Sequence, residues 1–219
     1  MAIRQITLDE LSSLIIPAAT RRIDEVVIHH SWSPTMQQYK GLATWTGIDR
    51  YHETGRGWTR RGPKGDELAI GYHWGIGADG SIWQLRDYRY SGCGVLNRNG
   101  HTLHICMIGN FDSEDPRKSM AAAAKVTWIL LARFKLSTSA IRFHNEFASK
   151  TCPGTRVSLS EFRKLVAGTV TKPAMGAPAP TVPVQIVDHA TGKVLAKYAM
   201  VEGGDHVSDQ RKVYVKGGA

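Results

Sequence analysis

Between Thr171 and Pro183 four prolines fall within thirteen residues, and no apolar period runs through them. Each proline fixes its own φ and removes a backbone donor, so the stretch reads as an extended, semi-rigid linker. It prevents one core from running the length of the 219-residue chain. Residues 1–170 are long enough to bury a single good-sized core, whereas 184–219 are too few to bury much alone. The expected organisation is therefore a main domain over 1–170, a linker over 171–183 and a small β-rich module over 184–219. In that module Val184–Val187, Lys193–Met200 and Lys212–Val215 are strand-like. Turns are expected at His189–Gly192 and at Gly203–Asp205.

Lys and Arg number 28 against 19 Asp and Glu, a formal net charge of +9. Counting by segment places +7 of it in residues 1–170, so the basicity belongs to the main domain. Such a balance suits an acidic partner: nucleic acid, an anionic membrane surface, or a bacterial wall rich in carboxylate and phosphate. The longest apolar run, Ile129–Ala132, is broken at once by Arg133, so no bilayer-spanning segment and no stable membrane insertion are expected. Asp9 and Glu10 interrupt any apolar signal core near the start. The expectation is a protein made in the cytoplasm that reaches any outside target by another route. Three cysteines do not make a disulfide framework.

Within 1–170 strand-like and helix-like stretches interleave. Glu25-Val-Val-Ile-His29 reads as a short β-branched strand, and Leu42 to His52 as a helix ending before Gly55. Gly71–Gly77 and Ser81–Arg86, joined through Asp79-Gly80, read as a β-hairpin. Leu103–Gly109 reads as a buried strand. Ser119 is expected to cap a helix reaching Phe134, and a last helix to run from about Ser158 to Val166. Strands interleaved with helices, with a hairpin among them, predict an α/β fold: a central mixed β-sheet flanked by helices, with a small C-terminal β-rich appendage.

His29 ends its strand just before a polar, proline-containing loop. Far along the chain, His144, Lys150 and Cys152 fall within nine residues, and Pro153-Gly154 turns the chain after them. Two imidazoles and a thiolate make three good zinc ligands, and a water in the fourth place would make such a site catalytic. On residue type alone, a strand-end histidine and a lone cysteine fit plain packing roles as well.

Four strings occur in order: Glu25-Val-Val-Ile-His29-His-Ser, Gly71-Tyr72-His-Trp, Leu103-His-Ile-Cys-Met-Ile-Gly109-Asn, and His144-Asn-Glu-Phe-Ala-Ser-Lys150-Thr-Cys152-Pro153-Gly154. Over residues 22–168 the chain resembles the zinc-dependent N-acetylmuramoyl-L-alanine amidases, the type-2 amidases of phage lysozymes, which are related to peptidoglycan recognition proteins. The resemblance implies cleavage of the amide between N-acetylmuramic acid and L-alanine in bacterial peptidoglycan, with one zinc ion per chain. By matching motif it makes His29, rather than His30, together with His144 and Cys152 the metal ligands. It makes Tyr72 and Lys150 the catalytic pair. The implied setting is a phage endolysin that accumulates in the host cytoplasm and reaches the wall after membrane permeabilisation. The alternatives are a non-catalytic peptidoglycan-binding module on the same fold and a cytoplasmic wall-recycling amidase. The binding-only members lack the cysteine ligand, which is present here. A nucleic-acid enzyme, suggested by charge and by the His-Asn-Glu string, lacks the second histidine and the ββα context of such nucleases. No nucleic-acid partner is expected, and the oligomeric state is left open.

Several other residues carry expectations. His73 is expected to be structural, on the opposite strand face from Tyr72. His101 and His104 read as polar supports, with His101 a candidate for the groove. Glu146 fits either a carboxylate holding a ligand imidazole or a solvated surface group. Cys93 and Cys106 are expected to be unpaired. Of the tryptophans Trp45, Trp58, Trp74, Trp83 and Trp128, most are expected in the core, with Trp58 a candidate for stacking on a sugar. The long loop Gly55–Gly71 carries Arg56, Arg60, Arg61 and Lys64. It is either a solvated surface loop or a basic border that draws in wall carboxylates.

Overall fold

The computed structural model describes residues 3–15, 21–169, 181–188, 194–201 and 212–215. The chain divides into two compact units, Met1–Val170 and Thr171–Ala219. The first holds β1 (Arg4–Ile6), α1 (Leu8–Leu14), β2 (Glu25–His30), α2 (Leu42–Thr54), β3 (Trp74–Ile76), β4 (Ile82–Gln84), β5 (Thr102–Met107), α3 (Arg117–Phe134), β6 (Ile141–Phe143) and α4 (Leu159–Gly168). Its six strands form one sheet in the order β1-β4-β3-β5-β2-β6. β5 runs parallel to β2 and β3, and β6 parallel to β2, while β4 is antiparallel to β1 and β3. The sheet is mixed and helix-flanked, an α/β fold.

Alternation along the strands assigns the two faces. Val26 and Ile28 of β2, with Leu103, Ile105 and Met107 of β5, join the large cluster that also takes Leu11 of α1, Leu130 of α3 and Phe162 of α4. The opposite parity of β5, at Cys106, belongs to a smaller cluster around Trp45 and Ile48 of α2. Gly75 of β3 lies on that face, and a Cβ there would stand 2.4 Å from the Trp45 ring. The glycine lets α2 seat its indole directly on the sheet. Three helices therefore cover one face and α2 the other, and side chains of the α2 face open into the cleft described below.

The hairpin turns where expected. Gly80 takes φ +85°, and Asp79 Oδ1 accepts the Ser81 N–H at 2.9 Å. Ser158 is the N-cap of α4, its Oγ accepting from the Glu161 N–H. Ser119 does not cap α3. The helix starts at Arg117 behind Pro116, whose ring pre-sets φ, and Asp115 Oδ1 takes the Arg117 N–H at 3.0 Å. Ser119 lies buried two residues into the helix. α2 runs two residues past the expected end. Asp9 and Glu10 fall in the first turn of α1, where Thr7 and Glu10 form a reciprocal capping box.

In the second unit β7 (Thr181–Asp188) pairs antiparallel with β8 (Val194–Val201) and parallel with β9 (Lys212–Val215). β7 starts at Thr181, inside the stretch read as linker. Pro183 is tolerated there because β9 pairs only with Gln185–Asp188, leaving β7 paired on one side at that point. The turns expected at 189–192 and 203–205 lie outside the described residues. No helix among the described residues is long and apolar enough to cross a membrane.

Candidate active site

Parallel register assembles the candidate metal centre. β2 pairs with β6 so that Ile28 stands opposite Phe143. The next residues along the chain are His29 on β2 and His144, which opens the turn after β6, and their rings lie 4.8 Å apart between centroids. The chain then loops back, closed by the Asn145 N–H donating to the Cys152 carbonyl at 2.8 Å. This brings Cys152 Sγ to 3.8 Å from His29 Nδ1. One ligand atom from each of His29, His144 and Cys152 lies within 4.8 Å of the others. His30, one residue along β2, points the other way: its Nδ1 accepts the Phe111 N–H at 3.2 Å.

The donor set fits a zinc ion. Zn–N bonds of about 2.0 Å and a Zn–S bond of about 2.3 Å give tetrahedral edges of about 3.3–3.5 Å, so a closure of about 1.5 Å at most completes the cage. Burial pushes the Cys152 thiol up to about 12, while the His30 N–H, donating to Sγ at 3.4 Å, pulls the other way. Burial holds His144 down to about 4, helped by Lys150, and holds His29 well below the ordinary imidazole value. Both rings are thus neutral with lone pairs to give. A divalent cation is the natural counter-charge for the thiolate this pocket otherwise disfavours.

The group opens into a cleft of about 1000 Å³, lined also by Tyr72 and Lys150. The Tyr72 ring stands 5.2 Å from His29. Burial, reinforced by the Cys106 and Cys152 thiols beside it, raises the phenol well above its ordinary value, so Tyr72 keeps its proton and is a donor. Four of the five residues singled out from the sequence, Tyr72, His144, Lys150 and Cys152, line this cavity, and His29 lies buried directly behind His144 and Cys152.

The sequence profile described as N-acetylmuramoyl-L-alanine amidase (Amidase_2) matches residues 19–155. The chain belongs to this amidase family. Among curated relatives, peptidoglycan-recognition protein LB of Drosophila melanogaster is 27% identical over 136 residues, covering 60% of this chain and 55% of its own length. The chain therefore spans little more than half of that relative. The endolysin of Escherichia phage T7 is 28% identical over 92 residues, 39% of this chain and 60% of the endolysin. The fold matches the solved endolysin amidase LysCS of Clostridium intestinale with a TM-score of 0.55 at 22% identity, over 68% of this chain and 86% of that one. It also matches Drosophila PGRP-LB with a TM-score of 0.52 at 21% identity, over 78% and 86%.

Around the amidase-family cleft, other expectations resolve. His73 is fully buried, accepting the His104 N–H at 2.9 Å. His101 is exposed and does not line the cleft. Glu146 does not hold a ligand imidazole; it takes the Phe143 N–H at 2.6 Å and the Arg142 Nε–H at 2.8 Å, capping the turn that carries His144. Cys93, Cys106 and Cys152 are all free thiols. Trp45, Trp74 and Trp83 are buried, whereas Trp58 lines the cleft with its ring 4.3 Å from His52. The basic loop divides its charges. Arg60 is bound to Glu53 at 2.6 Å, Arg61 donates to Ser91 at 3.0 Å, and of the four cations only Arg56 lines the cleft.

Trp32 and His52 are among the cleft residues that escaped the sequence reading. Trp32 is 61% exposed and holds a left-handed φ of +59°, an outlier for so bulky a residue. Its signal was present: an indole in the polar loop directly behind the adjacent histidines His29 and His30. His52 lies on α2, its Nδ1 accepting the Gly71 N–H at 3.2 Å. Within a helical pattern nothing distinguished it.

Proposed function

We propose that this chain hydrolyses the amide between N-acetylmuramic acid and L-alanine in bacterial peptidoglycan, using zinc held by His29, His144 and Cys152, in the role of a phage endolysin. The observation that carries the reading is the cluster of His29, His144 and Cys152 set at the floor of a cleft that Tyr72 and Lys150 also line. Family membership and the endolysins among its relatives support it.

In the reaction, water adds to the lactyl carbonyl carbon and the C–N bond breaks. The carboxylate stays on the muramic acid, and the alanine nitrogen leaves with a proton. Bound zinc would supply an acidified water and a polarised carbonyl. Lys150 presents its ammonium to the negative charge that develops on the carbonyl oxygen, and removal of one such donor costs about 10²–10³ in rate. Tyr72, kept protonated, donates its phenolic hydrogen to the oxyanion or to the departing nitrogen. The exposed indole of Trp32 and the rings of Tyr51 and Trp58 give the cleft flat apolar surfaces for the sugar. In the endolysin role the enzyme waits in the host cytoplasm until a separate event opens the membrane. The unit Thr171–Ala219 serves wall attachment or assembly.

The test is to incubate the purified protein with peptidoglycan, with and without chelator. The expected result is new L-alanine amino groups without new reducing ends, abolished by EDTA and by Cys152→Ser. New reducing ends would show a glycosidase. Binding without release of either product would show a recognition module. Activity indifferent to both EDTA and Cys152→Ser would refute the zinc assignment.

A further inference from the structure

His29 uses only one ring nitrogen toward the other ligands. Nδ1 faces Cys152 Sγ, while Nε2 lies 3.1 Å from Nδ1 of His104, both rings being buried. β2 and β5 pair with Val27 opposite His104 and His29 opposite Cys106, so the two histidines share the α2 face. Proton bookkeeping then leaves one arrangement. A neutral imidazole that gives its Nδ1 lone pair to a cation carries its proton on Nε2. That proton has a buried acceptor in His104 Nδ1, so the proton of His104 sits on its own Nε2, which has no partner.

The His104 ring is itself held. It stacks on His73 at 5.5 Å and 8°, and His73 Nδ1 takes the His104 backbone N–H. His73 Nε2 lies 3.0 Å from the Tyr90 carbonyl, to which it donates. Gly94 closes over the pair: a Cβ there would stand 2.6 Å from His104 Nδ1 and 2.9 Å from His29 Nε2. Only a glycine lets the backbone approach this hydrogen bond so closely.

We propose that His104 is a positioning residue of the metal centre, the acceptor that fixes the His29 tautomer and aims its Nδ1 lone pair at the ion. The proposal rests on the zinc reading above. Outer partners of metal-bound histidines are commonly carboxylates, carbonyls or water, and their loss costs about 10–100-fold in affinity. Here a neutral imidazole fills that place.

The test compares His104→Asn with His104→Leu. These side chains are near-isosteric, and only asparagine offers an acceptor oxygen. Zinc affinity is measured by competition with a chromophoric chelator, beside apo-protein melting curves. The expected result is a loss of about 10–100-fold for His104→Leu, with His104→Asn recovering most of it. Two-bond ¹H–¹⁵N spectra of the zinc-loaded wild type should show His29 and His104 both as Nε2–H tautomers. If His104→Leu does not fold, Gly94→Ala keeps His104 and wedges the pair apart, and the same affinity loss is expected. Wild-type affinity in His104→Leu, equal losses in both variants, or an Nδ1–H tautomer at His29 would overturn the proposal. A wild type that binds no zinc would instead overturn the metal assignment itself.

Discussion

Asp49 tests how the cleft wall is held. It lies on α2, 6% exposed, and its Oδ1 accepts the N–H groups of Ala69 and Ile70 at 2.8 and 2.7 Å. Both residues are fully buried, and Tyr72 follows two positions later. One turn along the same helix His52 takes the Gly71 N–H, so two side chains of α2 fasten three consecutive amides leading into Tyr72. Asp49→Ala orphans two buried donors at about 1–3 kcal/mol each, a loss of about 2–6 kcal/mol. Asp49→Asn keeps an acceptor oxygen for the two amides and loses the charge assistance and the 3.5 Å contact with the half-exposed Arg60, so it should cost about half as much or less. Urea unfolding of the zinc-saturated protein, followed by tryptophan fluorescence, reads the difference. At about 2–4 °C per kcal/mol for a domain of this size, Asp49→Ala should melt at least about 4 °C below wild type. Its turnover should fall as well, because Tyr72 loses its anchored approach. A loss below about 1 kcal/mol, or equal losses for the two variants, would refute the reasoning.

Burial and nearby Arg56 and Arg86 hold His52 down to about 4 from 6.5. The unfolded chain therefore takes up this proton first, and stability is lost as pH falls from 6.5 toward 4, by roughly 3 kcal/mol in full. His52→Gln should flatten that part of the acid limb in melts between pH 7 and 4; an unchanged slope would count against it. Arg56→Gln should weaken wall binding more at low salt than at high salt, whereas Arg60→Gln should leave binding intact, since Arg60 is committed to Glu53. Sedimentation with insoluble peptidoglycan at two salt concentrations checks both. Trp32→Ala should raise KM for glycan-bearing substrate about 3–10-fold with kcat little changed, the value of one lost ring-stacking contact. An equal effect on a substrate lacking the sugar would argue against stacking.

Elements with strong local signals were legible in the sequence. The β-branched run Glu25–His29, the Asp79-Gly80 turn and the serine before α4 each carry their own physics. β1 and β6 were not legible, because three-residue strands acquire their identity from pairing with β4 and β2. The capping box of Thr7 and Glu10 is a readable local signal, Thr-x-x-Glu ahead of Leu11. Pro116 outranked Ser119 at the start of α3 because a proline at a helix entrance brings a pre-set φ and Asp115 takes the Arg117 N–H.

The site divides along the same line. His144, Lys150 and Cys152 lie within one loop, so their sequence string carried most of their geometry. His104 sits in the string Leu103–Asn110, which reads it only as a polar support: its partner becomes visible through the β2–β5 register that sets it beside His29. β2 is thus the spine of the centre, offering His29 to His144 on one side through β6 and to His104 on the other through β5. A slip of one residue in β2 would turn His29 toward α3 and break both relations at once. The unbroken apolar parity of Val26 and Ile28, buried against three helices, makes that slip costly. Apolar residues outside the candidate metal centre are therefore what hold His29 and His144 in register with each other.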